Sequence, residues 1–205
     1  MRLCYALDIS NRYVTPDEAE IERFWHVGRV HPWRGQFEIF PRALGPYIRR
    51  SADADDRELV VGQWGLIPWF AKTAKLTYST DSARFEELED KASYKESWKH
   101  SRRCIIPAWS FDEPCWETGK NGWWRFQRAD GAPWSLADLW NAWGDKETGE
   151  VIESYTMLTV NADGHPLMSR MTSRIPNCRL ASRIDEAWRR SICRTSTNEL
   201  LQPSR

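Results

Sequence analysis

The chain has 205 residues with 29 basic and 29 acidic side chains, so no global field draws it toward nucleic acid and any such contact has to be a local patch. Its apolar share of 41% is modest, but 13 tryptophans supply large areas for a core, which excludes a disordered chain and suits one domain with or without a tail. Residues 1–7 carry neither part of a secretion signal and no run approaches the ~20 apolar residues of a membrane helix, so a cytoplasmic protein without membrane contact is expected.

In chain order, residues 4–7 read as a short strand. Residues 16–27 read as a helix capped by Thr15 and begun by Pro16, with Ile21, Phe24 and Trp25 on one face. Residues 58–64 are strand-like, and 66–70 interrupt them with a proline among large apolar groups. Residues 93–100 suit a short helix with Tyr94 and Trp98 on one side. Residues 103–107, 123–128, 134–139 and 153–160 carry β-branched or aromatic side chains between turn signals such as Asp130-Gly131 and Asp163-Gly164. A mostly antiparallel sheet with a few helices follows.

Composition changes after Met171. Residues 172–205 hold seven arginines, no lysine and three acidic residues, which divides the chain into a domain at 1–171 and a basic tail at 172–205. The five cysteines, Cys4, Cys104, Cys115, Cys178 and Cys193, form no CxxC pair, and their odd number speaks against a disulfide framework. Cys104 and Cys115 are predicted to be buried thiols, and no metal site is expected.

Five segments together carry a resemblance. They are Cys4-Tyr5-Ala6-Leu7; Trp64-Gly65-Leu66-Ile67-Pro68-Trp69; Ser82-Ala83-Arg84 with Glu86; Arg103-Cys104-Ile105-Ile106-Pro107-Ala108 running into Ser110-Phe111-Asp112-Glu113; and Met157-Leu158-Thr159-Val160-Asn161-Ala162 followed by His165-Pro166-Leu167-Met168. In that order they resemble the SOS response-associated peptidase family, in its branch that begins Met-Cys-Tyr. The resemblance implies an α+β single domain with a barrel-like, mostly antiparallel sheet and a few flanking helices. It also implies a monomer that binds single-stranded DNA containing abasic sites, with no organic cofactor.

Within that resemblance Cys4, once terminal, reacts with the ring-opened aldehyde of an abasic site. An α-amine with a pKa near 8 is substantially neutral in the cell and condenses with an aldehyde, and the adjoining thiol then closes a five-membered thiazolidine. As written, Cys4 follows Met1-Arg2-Leu3, and translation started at Leu3 would give the removable methionine of Met-Cys-Tyr. Glu113 takes the place of the family's general acid/base, which also serves autopeptidase removal of the preceding residue. Ser82 stands where the family has asparagine, and Arg84 where it has a phosphate-binding arginine. Thr172 falls where the catalytic histidine is expected, and a frameshifted ending that lacks the sheet's closing strand would account for it.

The loop at 64–70 is a candidate aromatic wedge, with Trp64, Pro68 and Trp69 as base platforms and Lys72, Lys75, Arg102 and Arg103 as phosphate contacts. Three structural readings stand beside these: a buried strand residue at Cys4, a surface carboxylate at Glu113, and an ion pair of Arg84 with Glu86 or Glu87. Two further functional classes also stand: a non-covalent single-strand binder that has lost the chemistry, and a cysteine amidohydrolase, which would need a histidine base.

Overall fold

The computed structural model describes residues 3–4, 11–29, 33–34, 37–52, 56–115, 122–161, 168 and 201–204, with the backbone alone at 3–4, 28–29 and 201–204. Its strands, in chain order, are β1 (Leu3–Cys4), β2 (Arg12–Val14), β3 (Gly28–Arg29), β4 (Glu38–Ile39), β5 (Leu44–Arg50), β6 (Arg57–Trp64), β7 (Ser82–Arg84), β8 (Arg103–Ala108), β9 (Ser110–Cys115), β10 (Gly122–Arg128), β11 (Trp134–Gly144), β12 (Val151–Thr159) and β13 (Leu201–Ser204). The helices are α1 (Glu18–Trp25) and α2 (Ala92–Lys99).

Strands β6, β5, β8, β11 and β12 pair in succession, and β12 returns parallel to β6 through Ser154↔Gln63 and Tyr155↔Trp64, closing a barrel. A second sheet, ordered β13-β10-β9-β2-β4, packs beside it. Closure removes the unpaired edges that an open sheet would leave. The two layers are joined through Tyr13 of β2, whose hydroxyl lies 2.6 Å from that of Tyr155 in the barrel and whose ring packs edge-on against Trp64 at 5.2 Å. Gly45 makes room for this pair, because a Cβ there would collide with both hydroxyls.

Several expectations shift. Helix α1 starts at Glu18 because Asp17, not Thr15, is its cap: the Asp17 carboxylate accepts the Glu20 amide at 2.8 Å and the Glu20 side chain returns to the Asp17 amide at 3.2 Å. Thr15 is instead committed to sheet pairing, its amide donating to Phe37 O at 2.8 Å. Phe24 faces outward, 39% exposed, while Ile21 and Trp25 are buried. Strand β5 gives no strand signal in the sequence because it contains Pro46. That residue is tolerated where β5 has no β8 neighbour, since their registered pairs are Ile48↔Ile105 and Arg49↔Cys104. Cys104 and Cys115 are buried free thiols, as expected. The basic tail contributes β13, which pairs antiparallel with β10 from Arg125↔Ser204 to Arg128↔Leu201, so the expected lack of a closing strand does not hold.

Candidate functional site

Strands β11 and β12 pair from Gly144↔Val151 to Asp138↔Met157 and then part. Strand β8 holds one edge of β11 from Leu139 to Trp134, and β1 takes the edge that β12 vacates, through Leu3↔Ser135 and Cys4↔Leu136. Beyond the parting, β12 carries β7, with Leu158↔Ala83 and Thr159↔Arg84 in register. Cys4, Ser82 and Arg84 are thereby gathered at one end of the barrel. Tyr5 to Ser10, His165 and Thr172 lie outside the described residues.

Glu113 is placed by another part of the fold. The last β8–β11 pair is Ala108↔Trp134, after which the chain turns at Trp109 into β9, where Phe111 packs edge-on against Trp134 at 5.8 Å. Side chains alternate along β9, so Phe111, Glu113 and Cys115 share the core face and Asp112 takes the other. Glu113 is buried, 2% exposed, and has a partner rather than standing free. The surface-carboxylate reading of Glu113 is thereby set aside. Asp112 is held by the strands on both sides: Arg12 Nε donates to Oδ2 at 2.7 Å and Arg125 Nε donates to Oδ1 at 2.9 Å. Burial alone would raise the Asp112 pKa, but these charge-assisted bonds outweigh it and hold the carboxyl below its usual range.

Asp138 stands at the vertex of the fork. It is fully buried, its Oδ1 accepts the Leu139 amide at 2.7 Å, and Oδ2 has no hydrogen-bond partner among the described residues. Burial pushes its pKa well up, with backbone hydrogen bonds from Leu139 and Thr156 opposing. Trp134 Nε1 and Thr159 Oγ1, on the two arms of the fork, are likewise buried without a partner among the described residues.

The 64–70 loop leaves β6 through Gly65, whose φ of 128° only glycine adopts readily. Ser154 Oγ accepts the Ile67 amide at 2.9 Å, Asn141 Nδ2 donates to Ile67 O at 2.7 Å, and Trp143 Nε1 donates to Ala71 O at 3.0 Å. These anchors correct two sequence expectations. Trp64 is wholly buried, its indole N–H donating to Asp81 O at 2.8 Å, so it is a core residue and no base platform. Pro68 is also buried, because the anchored loop turns it inward. Trp69 is the exposed member, at 63%, with Phe70 against it edge-on at 5.8 Å.

The candidate cations divide. Lys72 and Lys75 are exposed, and Arg84 is half-buried with a partner of its own. Arg102 donates to Asn141 Oδ1 and lies over the Trp140 ring at 5.6 Å, which makes it a support for the loop through Asn141. Arg103 stacks over Trp98 at 4.4 Å, and burial lowers its pKa. Sequence reasoning missed Asn141 and Ser154, whose only signal is their position on strands that meet the loop in space. Among the described residues no group of His, Cys, Asp and Glu could hold a metal, and no helix is long and apolar enough to cross a membrane.

A closed barrel with a second sheet and a cysteine-bearing strand at its forked end defines an α+β domain of one recognisable kind. The family model of the SOS response associated peptidase (SRAP) matches residues 10–204, and the chain belongs to that family. The match runs through Thr172 and the basic tail, beyond Met171, where the motifs were expected to end. Among similar proteins, the abasic site processing protein HMCES of Xenopus tropicalis is 27% identical over 188 residues, covering 74% of this chain and 52% of its own length. The abasic site processing protein YoqW of Bacillus subtilis is 27% identical over 170 residues, covering 78% of this chain and 68% of its own. The chain spans about half the length of the first of these relatives. A solved structure from Bordetella bronchiseptica superposes with a TM-score of 0.75 at 28% identity, covering 95% of this chain and 99% of that one. One from Bacteroides thetaiotaomicron, at 22% identity and a TM-score of 0.51, shares the fold.

Proposed function

We propose that the chain binds single-stranded DNA and captures abasic sites covalently through Cys4, acting as a cytoplasmic monomer in the response to DNA damage. What supports this reading is that β1, with Cys4, and β7, with Ser82 and Arg84, pair with the two arms of the β11–β12 fork, that Glu113 is buried in β9, and that Trp69 is exposed. Its relatives, named as abasic site processing proteins, support the substrate.

The chemistry asks little of the fold beyond placement. With Cys4 terminal, its amine adds to the aldehyde carbon of the opened sugar and the carbinolamine loses water to give an imine. The thiol then adds to that carbon and its proton passes to nitrogen, closing the thiazolidine. Glu113 is the group that carries protons between these steps, and the same proton relay would serve autopeptidase release of a residue ahead of Cys4. Ser82 and Arg84 hold the sugar and its phosphate, Trp69 stacks a neighbouring base, and Lys72 neutralises backbone charge.

The test is a denaturing gel of a single-stranded oligonucleotide with one abasic site, incubated with a chain beginning at Cys4 and with its Cys4→Ala counterpart. A heat-stable shifted band from the first alone supports the reading. Binding that salt abolishes, with no covalent band from either, would identify a non-covalent single-strand binder instead.

A further inference from the structure

A pocket of about 300 Å³ opens beside the Trp64 turn, bounded by Arg42, Gln63, Lys75, Tyr78 and Asp81. Its size lies at the lower end of small-ligand sites. The pocket adjoins the site already described, because Asp81 directly precedes Ser82 and its carbonyl accepts both the Trp64 indole N–H at 2.8 Å and the Met157 amide at 2.9 Å. Arg42 is fixed in the pocket wall: its backbone takes a left-handed φ of 72°, its amide donates to Trp64 O at 2.6 Å, and Nη2 donates to Leu76 O at 3.3 Å. Tyr78 is 45% exposed. Burial pushes the Asp81 pKa up and the nearby Arg42 charge opposes it.

The wall chemistry matches one nucleotide part by part. Two cations at the rim suit a phosphate, and a half-exposed phenol ring suits the face of a base. A carboxylate accepts from an exocyclic amino group on a base edge and repels a carbonyl oxygen at the same position.

We infer that this pocket is a subsite for one nucleotide of the bound strand, beside the abasic position, taking a base with an exocyclic amine onto Tyr78 and Asp81 and its phosphate onto Arg42 and Lys75. The inference rests on the reading that the chain binds single-stranded DNA, and it adds a base preference to that reading. Cytosine, whose amine faces Asp81, is accepted, while thymine sets an acceptor against the carboxylate.

The experiment is fluorescence anisotropy of labelled single-stranded oligo(dC) and oligo(dT), without abasic sites, titrated with the full chain and four variants. The full chain is expected to favour oligo(dC). Tyr78→Ala should weaken oligo(dC) binding about 5- to 100-fold. Lys75→Ala should weaken both oligonucleotides and reduce the salt slope by about one. Asp81→Asn should remove the preference while leaving oligo(dT) bound. Trp69→Ala is the control outside the pocket. If Tyr78→Ala and Lys75→Ala bind both oligonucleotides like the full chain while Trp69→Ala binds more weakly, the pocket inference is overturned and the functional reading stands. If the full chain binds neither oligonucleotide, both fall.

Discussion

Asp112 and Glu113 are adjacent in β9 and live in opposite surroundings: Asp112 is gripped by Arg12 and Arg125 on the flanking strands, and Glu113 is turned into the core face beside Phe111. The ion triad pins the register of β9. A slip by one residue would exchange the two carboxylates and carry Glu113 off the core face. Asp112→Asn is expected to cost ~1–3 kcal/mol, tempered because both arginines are one-third exposed. Chemical denaturation measures it. The loss should shrink in wild type as pH falls through the depressed Asp112 pKa, because protonation then releases the same bonds.

Glu113→Gln keeps the shape of the side chain and removes the carboxyl group that the proposed proton relay needs. Adduct formation should slow roughly 10²-fold or more, with a melting temperature close to wild type, as read by single-turnover gels alongside calorimetry. Unchanged rates would assign Glu113 to structure.

The two tryptophans of the loop part company in their effects. Trp69→Ala should weaken single-stranded DNA binding by ~1–3 kcal/mol and leave stability alone, since its ring is 63% exposed. Trp64→Ala should cost ~3–5 kcal/mol of stability through the cavity it leaves. Thermal melts and anisotropy on both variants separate these roles.

Asp138 makes stability depend on pH. Its native pKa is raised by burial, so the unfolded chain gives up this proton first as pH rises from acid. The stability it contributes is full below the usual carboxylate pKa and is lost progressively above it, at ~1.4 kcal/mol per unit of displacement. Asp138→Asn mimics the protonated form, so its advantage over wild type should grow as pH rises above the usual carboxylate range, read in denaturant midpoints. A constant difference would contradict this.

What the sequence made legible followed from local pattern. The apolar runs at 58–64 and 103–107 and the motif spacing found the strands and the family, and the buried thiols were anticipated. Strand β9 was recognised only through its motif, because Ser110, Asp112 and Pro114 hide its alternation. Trp64 and Trp69 are the same residue type five positions apart, and no local signal says which one faces water. That choice is made by Asn141 and Ser154, which grip Ile67 from strands distant in sequence. The fork was equally invisible, since it depends on where β12 leaves β11 rather than on any residue's propensity.

In the proposed capture, carbon from the abasic sugar ends up bonded to both the nitrogen and the sulfur of Cys4. The most direct measurement is the mass of the N-terminal peptide from a chain beginning at Cys4, taken after reaction with abasic single-stranded DNA and digestion of both polymers. A peptide heavier by the sugar fragment less one water, with the Cys4 thiol no longer open to alkylation and the adduct unaffected by borohydride, is the expected result. An adduct carried by Lys72 or Lys75, or an unmodified N-terminal peptide with its thiol free, would contradict the account.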